Sequence, residues 1–522
     1  MAVSGQKLGL WHNVIISLAF MAPALSLLAT FSFVMVAGYS WVATPLAYLM
    51  AGIVSIITSV AFAELIKAYP FGGSLWTFGS KVIGPRFGQF AVWIYLLEIL
   101  VVPAAALIPV GLFAFDWLGI PAWITVLIGF AVIAPLTIRG IQLSFRTIAM
   151  LFLAEMAILV AFAVSSIYWS IGAGTYSFMA SEAVVPSGSL FGWAGIMLGA
   201  TVAIFSYIGF ESSVNLAEET TSSIKNTSRA VILSAVTGTI IVTFLAWAFV
   251  LAIPTKGLFS LLTYVNPVPA MAGVIWGSSW QGVIDLAGIM GGFTAALASV
   301  TAGSRLFQKL GEEGVVPGVF KKTSPKYATP IIAILFMSAV GLLLSEFTPW
   351  ETILYVIATG AIPAFIITNF LAFWHYKGQG HGPKNILLHD LLPWAGIGLS
   401  SWFVLVGLPP QMKGVLALWI AVGILLVYLN STLRPRAFQR LGAFVPKSSF
   451  IGLGLSVLLV AIVAVAFGVW YTFFSGGIHW WYEVAPYASG NALATVVTAL
   501  AIISLLAFST FTLRRKEVEV TE

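Results

Sequence analysis

The chain has 522 residues, of which 60% are hydrophobic and only 8% are charged. A soluble domain carries roughly a quarter charged residues, so this composition excludes a soluble fold and indicates that lipid surrounds most of the chain. The net charge of +6 fits a biased membrane topology, and no nucleic-acid partner is expected. Without cysteine, the chain has no disulfides or thiolate chemistry, and its scattered histidines predict no metal or cofactor.

Fourteen apolar runs follow one another along the chain. A membrane-spanning helix needs about 20 mostly apolar residues. Strands of a membrane barrel alternate apolar and polar residues, which these runs do not, and lipid leaves exposed backbone groups unsatisfied. The sequence therefore predicts an all-α integral membrane protein with helices at 10–37, 41–65, 88–114, 121–138, 146–170, 190–215, 229–253, 281–304, 329–345, 350–374, 391–409, 413–431, 450–474 and 491–513.

The basic residues predict the orientation of these helices. Cytoplasmic loops of membrane proteins are enriched in Lys and Arg. With the N-terminus in the cytoplasm, all of the 24 Lys and Arg residues except Lys256 and Lys413 fall on the cytoplasmic side. If one helix were missed or added, the Lys and Arg residues of every later loop would fall on the opposite side of the membrane. We therefore expect a multi-pass protein of the cell membrane with both termini in the cytoplasm.

Helices 1 and 6 carry the features of interrupted helices. Proline removes a backbone donor and clashes with the preceding turn, and Pro23 lies at mid-membrane in the segment MAPALS of helix 1. In helix 6, the segment FSYIGFE combines Gly209 with small polar residues and an acid. Interruptions at matching positions of two halves indicate a transport site. An ordinary proline kink and a packing glycine are the alternative.

The distance of five helices between these interruptions predicts two inverted five-helix repeats. An odd number of helices in the first repeat inverts the topology of the second. The repeats would cover about 10–170 and 190–375 within a core of residues 1–375, followed by helices 11 and 12 at 390–431 and a two-helix extension at 450–513. The basic segment that precedes the extension is predicted to lie on anionic membrane lipid.

Carboxyl groups within the membrane are functional candidates, because an ionisable group there costs several kcal/mol. Five acids qualify: Glu64, Glu98, Glu155, Glu211 and Asp285. Glu64 is close to Lys67 and is interpreted as a residue at the end of helix 2. Glu211 is interpreted as support for the site, since a carboxylate suits the positive end of a half-helix.

Glu155 is a candidate for coupling transport to protons. It lies in the middle of helix 5 without a local partner, and burial disfavours the charged form of a carboxyl group. It could therefore load and release a proton. The alternative is a permanently protonated side chain that is hydrogen-bonded to a neighbouring helix. Glu98 in helix 3 is a second candidate for a proton site.

Several motifs occur in an order that resembles a known group of proteins. Helix 2 and its loop read AELIKAYPFGGSLWTFGSKVIGPRFG, and helix 6 continues as FSYIGFESSVNLAEET. Ser304-Arg305 ends helix 8, and Thr329-Pro330 opens helix 9. Each motif alone is of moderate specificity, but their order and spacing are specific. Over roughly residues 8–430, the chain resembles the amino acid–polyamine–organocation (APC) superfamily of transporters.

This resemblance implies a ten-helix inverted-repeat core of the LeuT type, with an amino acid or a close relative as the substrate. Backbone groups of unwound helix 1 would hold the substrate carboxylate, and carbonyl groups of unwound helix 6 would hold its amine. Half-helix ends have the polarity that such binding needs. The corresponding residues are Pro23, Ala24, Leu25 and Ser26 on helix 1, and Phe205, Ser206, Ile208 and Gly209 on helix 6, where the ring of Phe205 would cover the substrate.

Two positions depart from the pattern of the superfamily. The usual Gly-small-Gly segment of helix 1 is replaced by Pro23-Ala24-Leu25, and the loss of both glycines reduces close approach of the backbone. Glu155 stands where proton-coupled members often carry a lysine. Ser299 and Thr301 on helix 8 are positioned by sequence to face it, as supporting residues. The sequence alone does not distinguish coupling to protons from coupling to sodium.

The leading hypothesis is secondary active transport of an amino acid or a related amine, coupled to protons. Sodium coupling, exchange and a channel are the alternatives. An antiporter-like subunit of a respiratory complex would need buried lysines along the membrane centre, and none is found. The sequence also lacks the motifs of a membrane enzyme and the phosphate-binding loop of an ATP-driven pump, so the protein is not expected to be an enzyme.

Overall fold

The computed structural model describes residues 8–37, 39–70, 74–253, 267–377 and 382–433. Twelve apolar helices lie within them: α1 Leu10–Val36, α2 Thr44–Ala68, α3 Pro85–Leu118, α4 Ala122–Ile138, α5 Ile141–Gly172, α6 Trp193–Asn215, α7 Ser223–Ala252, α8 Gln281–Glu312, α9 Ile331–Phe347, α10 Trp350–Tyr376, α11 Ile386–Gly407 and α12 Pro410–Leu433. The predicted helices at 450–474 and 491–513 lie outside the described residues.

The lengths of these helices are those expected for membrane spans. Ten of the described helices are long and apolar enough to cross a membrane, and α4 and α9 are apolar helices of 17 residues. In the described part of the chain no strand forms, and the one isolated bridge joins Leu8 to Thr220. Large apolar side chains such as Met150 and Leu153 are exposed on the outside of the bundle, as lipid-facing residues are.

Helix α1 is interrupted at Ala22, as the sequence predicts. Its first half, Leu10–Met21, ends where Ala22 adopts a left-handed conformation with φ 44° and ψ 68°. The second half, Pro23–Ser32, begins with proline at its first position, where the missing N–H and the fixed φ are tolerated. Pro23 therefore ends one helix and begins the next at the same depth.

Helix α6 is interrupted over a longer stretch. Regular helix ends at Ala203, a tighter 3₁₀ turn covers Ile204–Tyr207, and Ile208 is extended. Gly209 then takes φ +114°, which favours glycine, before helix resumes at Ser212–Asn215. Both interruptions predicted from the sequence are therefore present in the structure.

The packing of the helices brings these interruptions to the centre of the bundle. Helix α1 packs against α7 and α8, and α2 packs against α7 and α6. The long helix α3 packs against α8 and α10. The residues that surround both interruptions are buried, including all of the second half of α1. The two broken helices thus share one enclosed region between α3, α5, α8 and α10.

Candidate functional site

The two interruptions touch each other. A Cβ atom added to Gly209 would lie 2.7 Å from Cγ of Phe20 in α1, a separation shorter than van der Waals contact allows. Ser17 and Ser212 share a hydrogen bond of 3.1 Å between their hydroxyl groups, on the same two helices. The two interruptions therefore lie in contact within one buried region, which is the candidate site.

The helix-1 residues proposed from the sequence form the first turn of the second half of α1. Pro23, Ala24, Leu25 and Ser26 are all buried. The Ser26 hydroxyl and N–H both donate to the carbonyl of Ala22, at 2.8 Å each. The first N–H groups of a helix have no partner within the helix. Pro23 has no N–H group, so the N–H groups of Ala24 and Leu25 are the donors at this end.

The helix-6 residues lie beside this turn. Phe205 is 8% exposed, and its ring meets the ring of Trp350 of α10 edge-on at 5.7 Å. The Ser206 hydroxyl is buried and has no hydrogen-bond partner within the described residues. Trp350 was not identified from the sequence, because an aromatic residue at the start of an apolar helix carries no signal of its distant partner.

Glu211 holds the interruption of α6 in place. The N–H of Gly209 donates to Oε2 of Glu211 at 3.1 Å, and the hydroxyl of Tyr95 in α3 donates to Oε1 at 3.3 Å. The carboxyl group of Glu98, also in α3, interacts with that of Glu211. All three side chains are buried. The structure thus brings two predicted acids together, with Tyr95 as an additional member that the sequence did not indicate.

Glu155 is the third buried acid near the interruption of α1. It is 0% exposed, and neither carboxyl oxygen has a hydrogen-bond partner within the described residues. A Cβ atom added to Gly291 of α8 would lie 2.9 Å both from Oε2 of Glu155 and from the backbone nitrogen of Leu25. The Glu155 carboxyl group therefore lies between α5, α8 and the start of the second half of α1.

Ser299 and Thr301 are placed further along α8. The Ser299 hydroxyl donates to the carbonyl of Ala296 at 2.9 Å, and that of Thr301 donates to Leu297 at 2.7 Å. The α8 residue beside Glu155 is Gly291, about 12 Å from Ser299 along the helix axis at 1.5 Å per residue. A glycine offers no side chain that sequence reasoning could have matched to an acid.

The two remaining acids lie at the ends of the bundle. Glu64, at the end of α2, pairs with Lys67 at 2.5 Å and with His389 at 3.3 Å. Asp285 lies in the first turns of α8 and interacts with Asp116 near the end of α3. In the described residues no group of His, Cys, Asp and Glu forms a metal site. The central acids are therefore Glu98, Glu155 and Glu211.

Residues 12–377 match the family described as amino acid permease. The chain is 27% identical over 443 residues to the low-affinity putrescine importer PlaP of Escherichia coli, covering 80% of this chain and 91% of that protein. It is 22% identical over 418 residues to the branched-chain amino acid permease BcaP of Bacillus subtilis, covering 74% and 85%.

The fold is also similar to that of a solved transporter. The crystal structure of a manganese transporter mutant of Eremococcus coleocola has a TM-score of 0.50 and 12% identity, over 97% of this chain and 94% of that one. At this level of identity the similarity concerns the fold alone.

Proposed function

The chain belongs to the amino acid permease family, and we propose that it is a secondary active transporter that works by alternating access and is driven by protons. Its substrates are amino acids or closely related amines. The observation that carries this proposal is the contact between the interruptions of α1 and α6, where Gly209 approaches Phe20. Two half-helices that meet at mid-membrane present backbone donors and acceptors to a substrate without lipid contact.

The proposed substrate site has a positively polarised helix end on α1 and a negatively polarised one on α6. The N–H groups at Ala24 and Leu25 form the positive end of a half-helix, and the carbonyl groups around Ser206 and Ile208 form the negative one. The ring of Phe205, which meets the ring of Trp350 edge-on, would cover the substrate here. Pro23, Ser26 and Gly209 shape the backbone here, and Glu211 supports it through its bond from the Gly209 N–H.

Glu155 and Glu98 are the proposed coupling residues. A buried carboxyl group without a hydrogen-bond partner is stable when it is protonated and costly when it is charged, which suits a group that gains and loses a proton during a cycle. Glu155 and Leu25 of the second half of α1 both lie beside Gly291 of α8, so the charge of Glu155 would act close to a broken helix. Sodium coupling and exchange are the alternative mechanisms, with Ser299 and Thr301 of α8 as further supporting residues.

The proposed setting is the cell membrane, with both termini in the cytoplasm and lipid around the bundle. The segregation of Lys and Arg supports this orientation. The core of residues 1–375 would consist of two inverted repeats, because the interrupted helices α1 and α6 are five helices apart. Helices α11 and α12 lie beside this core, and the two-helix extension would follow.

Uptake into proteoliposomes tests this function. The purified chain is reconstituted, and radiolabelled leucine, ornithine and 1,4-diaminobutane are supplied under an imposed proton gradient, a sodium gradient or neither. We expect accumulation above the external concentration under the proton gradient, which collapses when a protonophore is added. Equilibration without accumulation would identify a channel. Accumulation only under a sodium gradient would refute proton coupling, and no uptake of any probe would refute the proposed function.

A further inference from the structure

A cluster of titratable side chains joins three helices at the predicted cytoplasmic end of the bundle, away from the substrate site. Glu64 of α2 lies at its centre. One carboxyl oxygen of Glu64 pairs with Lys67 of the same helix, and Oε2 lies 3.3 Å from Nε2 of His389 in α11. The hydroxyl of Tyr376, the last residue of α10, donates to the backbone carbonyl of Glu64 at 2.9 Å. One residue of α2 is therefore bound by both α10 and α11.

His389 is enclosed by groups that attract a positive charge. Its side chain is 12% exposed, and its ring stacks on that of Tyr376, with the centroids 4.0 Å apart and the planes 8° from parallel. The Nδ1 atom is buried without a hydrogen-bond partner in the described residues. A neutral imidazole donates through one nitrogen only, so a proton added to His389 turns its bond with Glu64 into an ion pair. The face of the Tyr376 ring also favours a cation.

The other charged groups of the cluster act on His389 from further away. Lys67 shares the carboxylate of Glu64, and His375 of α10 interacts with His389; both oppose a second positive charge. Asp390 precedes the next turn of α11 and is negative. Coulombic attraction falls with distance, and within the described part of the chain Glu64 is the charged group hydrogen-bonded to His389. Protonation of His389 therefore strengthens the bond between α11 and α2.

This bond crosses between two groups of helices. Helix α2 packs against α6 and α7, whereas α10 packs against α3 and α11. Deeper in the same seam, Nδ2 of Asn369 in α10 donates to the hydroxyl of Thr58 in α2 at 3.0 Å. The interruption of α6 and the acid Glu98 of α3 belong to different groups. A movement of one group against the other at the cytoplasmic end must therefore separate Glu64 from His389.

We propose that Glu64 and His389 form a proton-sensitive tie between α2 and α11 that slows release of substrate when the cytoplasm is acidic. Histidine ordinarily gains its charge between about pH 5 and 8, which is the range in which a cytoplasmic sensor has to respond. A proton-driven importer delivers protons to that side, so the tie limits further uptake once they accumulate. This role goes beyond the proposed function and rests on it for the direction of transport.

Labelling of a single cysteine tests whether the seam opens. The chain contains no cysteine, so Thr58→Cys supplies one reporter within the seam of α2 and α10. The purified full-length protein is treated with a maleimide at about pH 6 and about pH 8, and each variant is compared with the Thr58→Cys parent at the same pH, which cancels the reactivity of the thiol itself. His389→Gln should label about threefold faster at the lower pH, the size expected of one ion pair, and at the same rate at the higher pH. His12→Gln changes an exposed histidine at the start of α1 and should match the parent at both.

Uptake into proteoliposomes tests the consequence for transport. The internal pH is set to about 6 or about 8 at one external pH, so all proteins experience the same gradients. We expect His389→Gln to take up substrate about threefold faster than the wild-type protein at the acidic internal pH and equally fast at the other. Glu64→Gln should behave alike, and the double variant should add nothing, because the two residues act as a pair. Tyr376→Phe removes an uncharged bond, so its effect should be the same at both pH values.

Three outcomes would overturn the proposal. His389→Gln could change labelling equally at both pH values, which would make its role structural, or change it at neither. The variant could also label more slowly than its parent at the acidic pH, which would show that protonation opens the seam. Glu64→Gln provides the same comparisons if His389→Gln does not fold. Labelling requires no transport, so a lack of uptake under every gradient would count against the proposed function and leave the test of the tie intact.

Discussion

Replacement of Gly209 by alanine perturbs the contact between the two broken helices. Gly209 has φ +114°, and an added Cβ would lie 2.7 Å from the Phe20 ring. A non-glycine residue held in such a conformation costs about 1–3 kcal/mol, and forcing an extra carbon into a packed region costs about 1–3 kcal/mol more. We therefore expect Gly209→Ala to destabilise the protein by roughly 2–6 kcal/mol, the sum of these two costs.

Two other glycines separate the two contributions. Gly277 has φ +100° but nothing within 4 Å of its Cβ position, so Gly277→Ala carries the backbone cost alone. Gly398 lies in the regular helix of α11 with open space around it, and Gly398→Ala should stabilise the helix by up to about 1 kcal/mol. The three variants thus rank by the structural cost that each one adds.

Thermal unfolding in detergent at one scan rate compares these variants with the wild-type protein. We expect the unfolding midpoint to be lowest for Gly209→Ala, intermediate for Gly277→Ala, and at or above the wild-type value for Gly398→Ala. Adding Phe20→Leu to Gly209→Ala should recover part of the loss, since residues in contact couple by about 0.5–3 kcal/mol. Equal midpoints for Gly209→Ala and Gly277→Ala would show that the interruptions do not touch.

Three further predictions concern the transport cycle. In proteoliposomes, wild-type uptake should fall as the external pH rises, and Glu155→Gln should remove this dependence; an unchanged pH profile would assign the proton to another group. Trp350→Ala should raise KM by roughly 2–12-fold, because an edge-on aromatic pair such as that with Phe205 contributes about 0.5–1.5 kcal/mol, and an unchanged KM would exclude a role in retaining substrate. The ion pair of 2.9 Å between Lys309 at the end of α8 and Glu218 just after α6 joins two segments on the predicted cytoplasmic side. If it helps to close that side, Lys309→Gln should increase labelling of a single cysteine introduced at Ser206, while it shifts stability by less than about 1 kcal/mol. Equal labelling would show that this pair does not close the site.

Much of the helical framework follows from local chemistry. Each apolar run had to become a helix, because lipid leaves no other way to satisfy the backbone. The two interruptions were also predictable, since Pro23 lacks an N–H and Gly209 tolerates a conformation that other residues avoid. The role of Glu211 at the α6 interruption follows from its short separation in sequence, which lets its side chain accept from the Gly209 N–H.

The partners of the central acids required the tertiary structure. Glu98 and Glu211 come together because α3 reaches the interruption of α6, where Tyr95 of α3 donates to Glu211, and nothing near either residue in sequence indicates the other. The neighbour of Glu155 on α8 is Gly291, and a hydroxyl such as that of Ser299 is the partner that sequence reasoning favours. A residue that acts by leaving space has no chemical signature of its own.

The sequence by itself determined that lipid surrounds the chain, that its apolar runs form helices, and where α1 and α6 break, because all of these depend on hydropathy and backbone chemistry within one segment. Which faces of those helices meet depends on how side chains far apart in the chain fill a common volume. Only the packing of α5 and α8 against Pro23–Ser32 brought Glu155 and Leu25 to the same glycine of α8, Gly291.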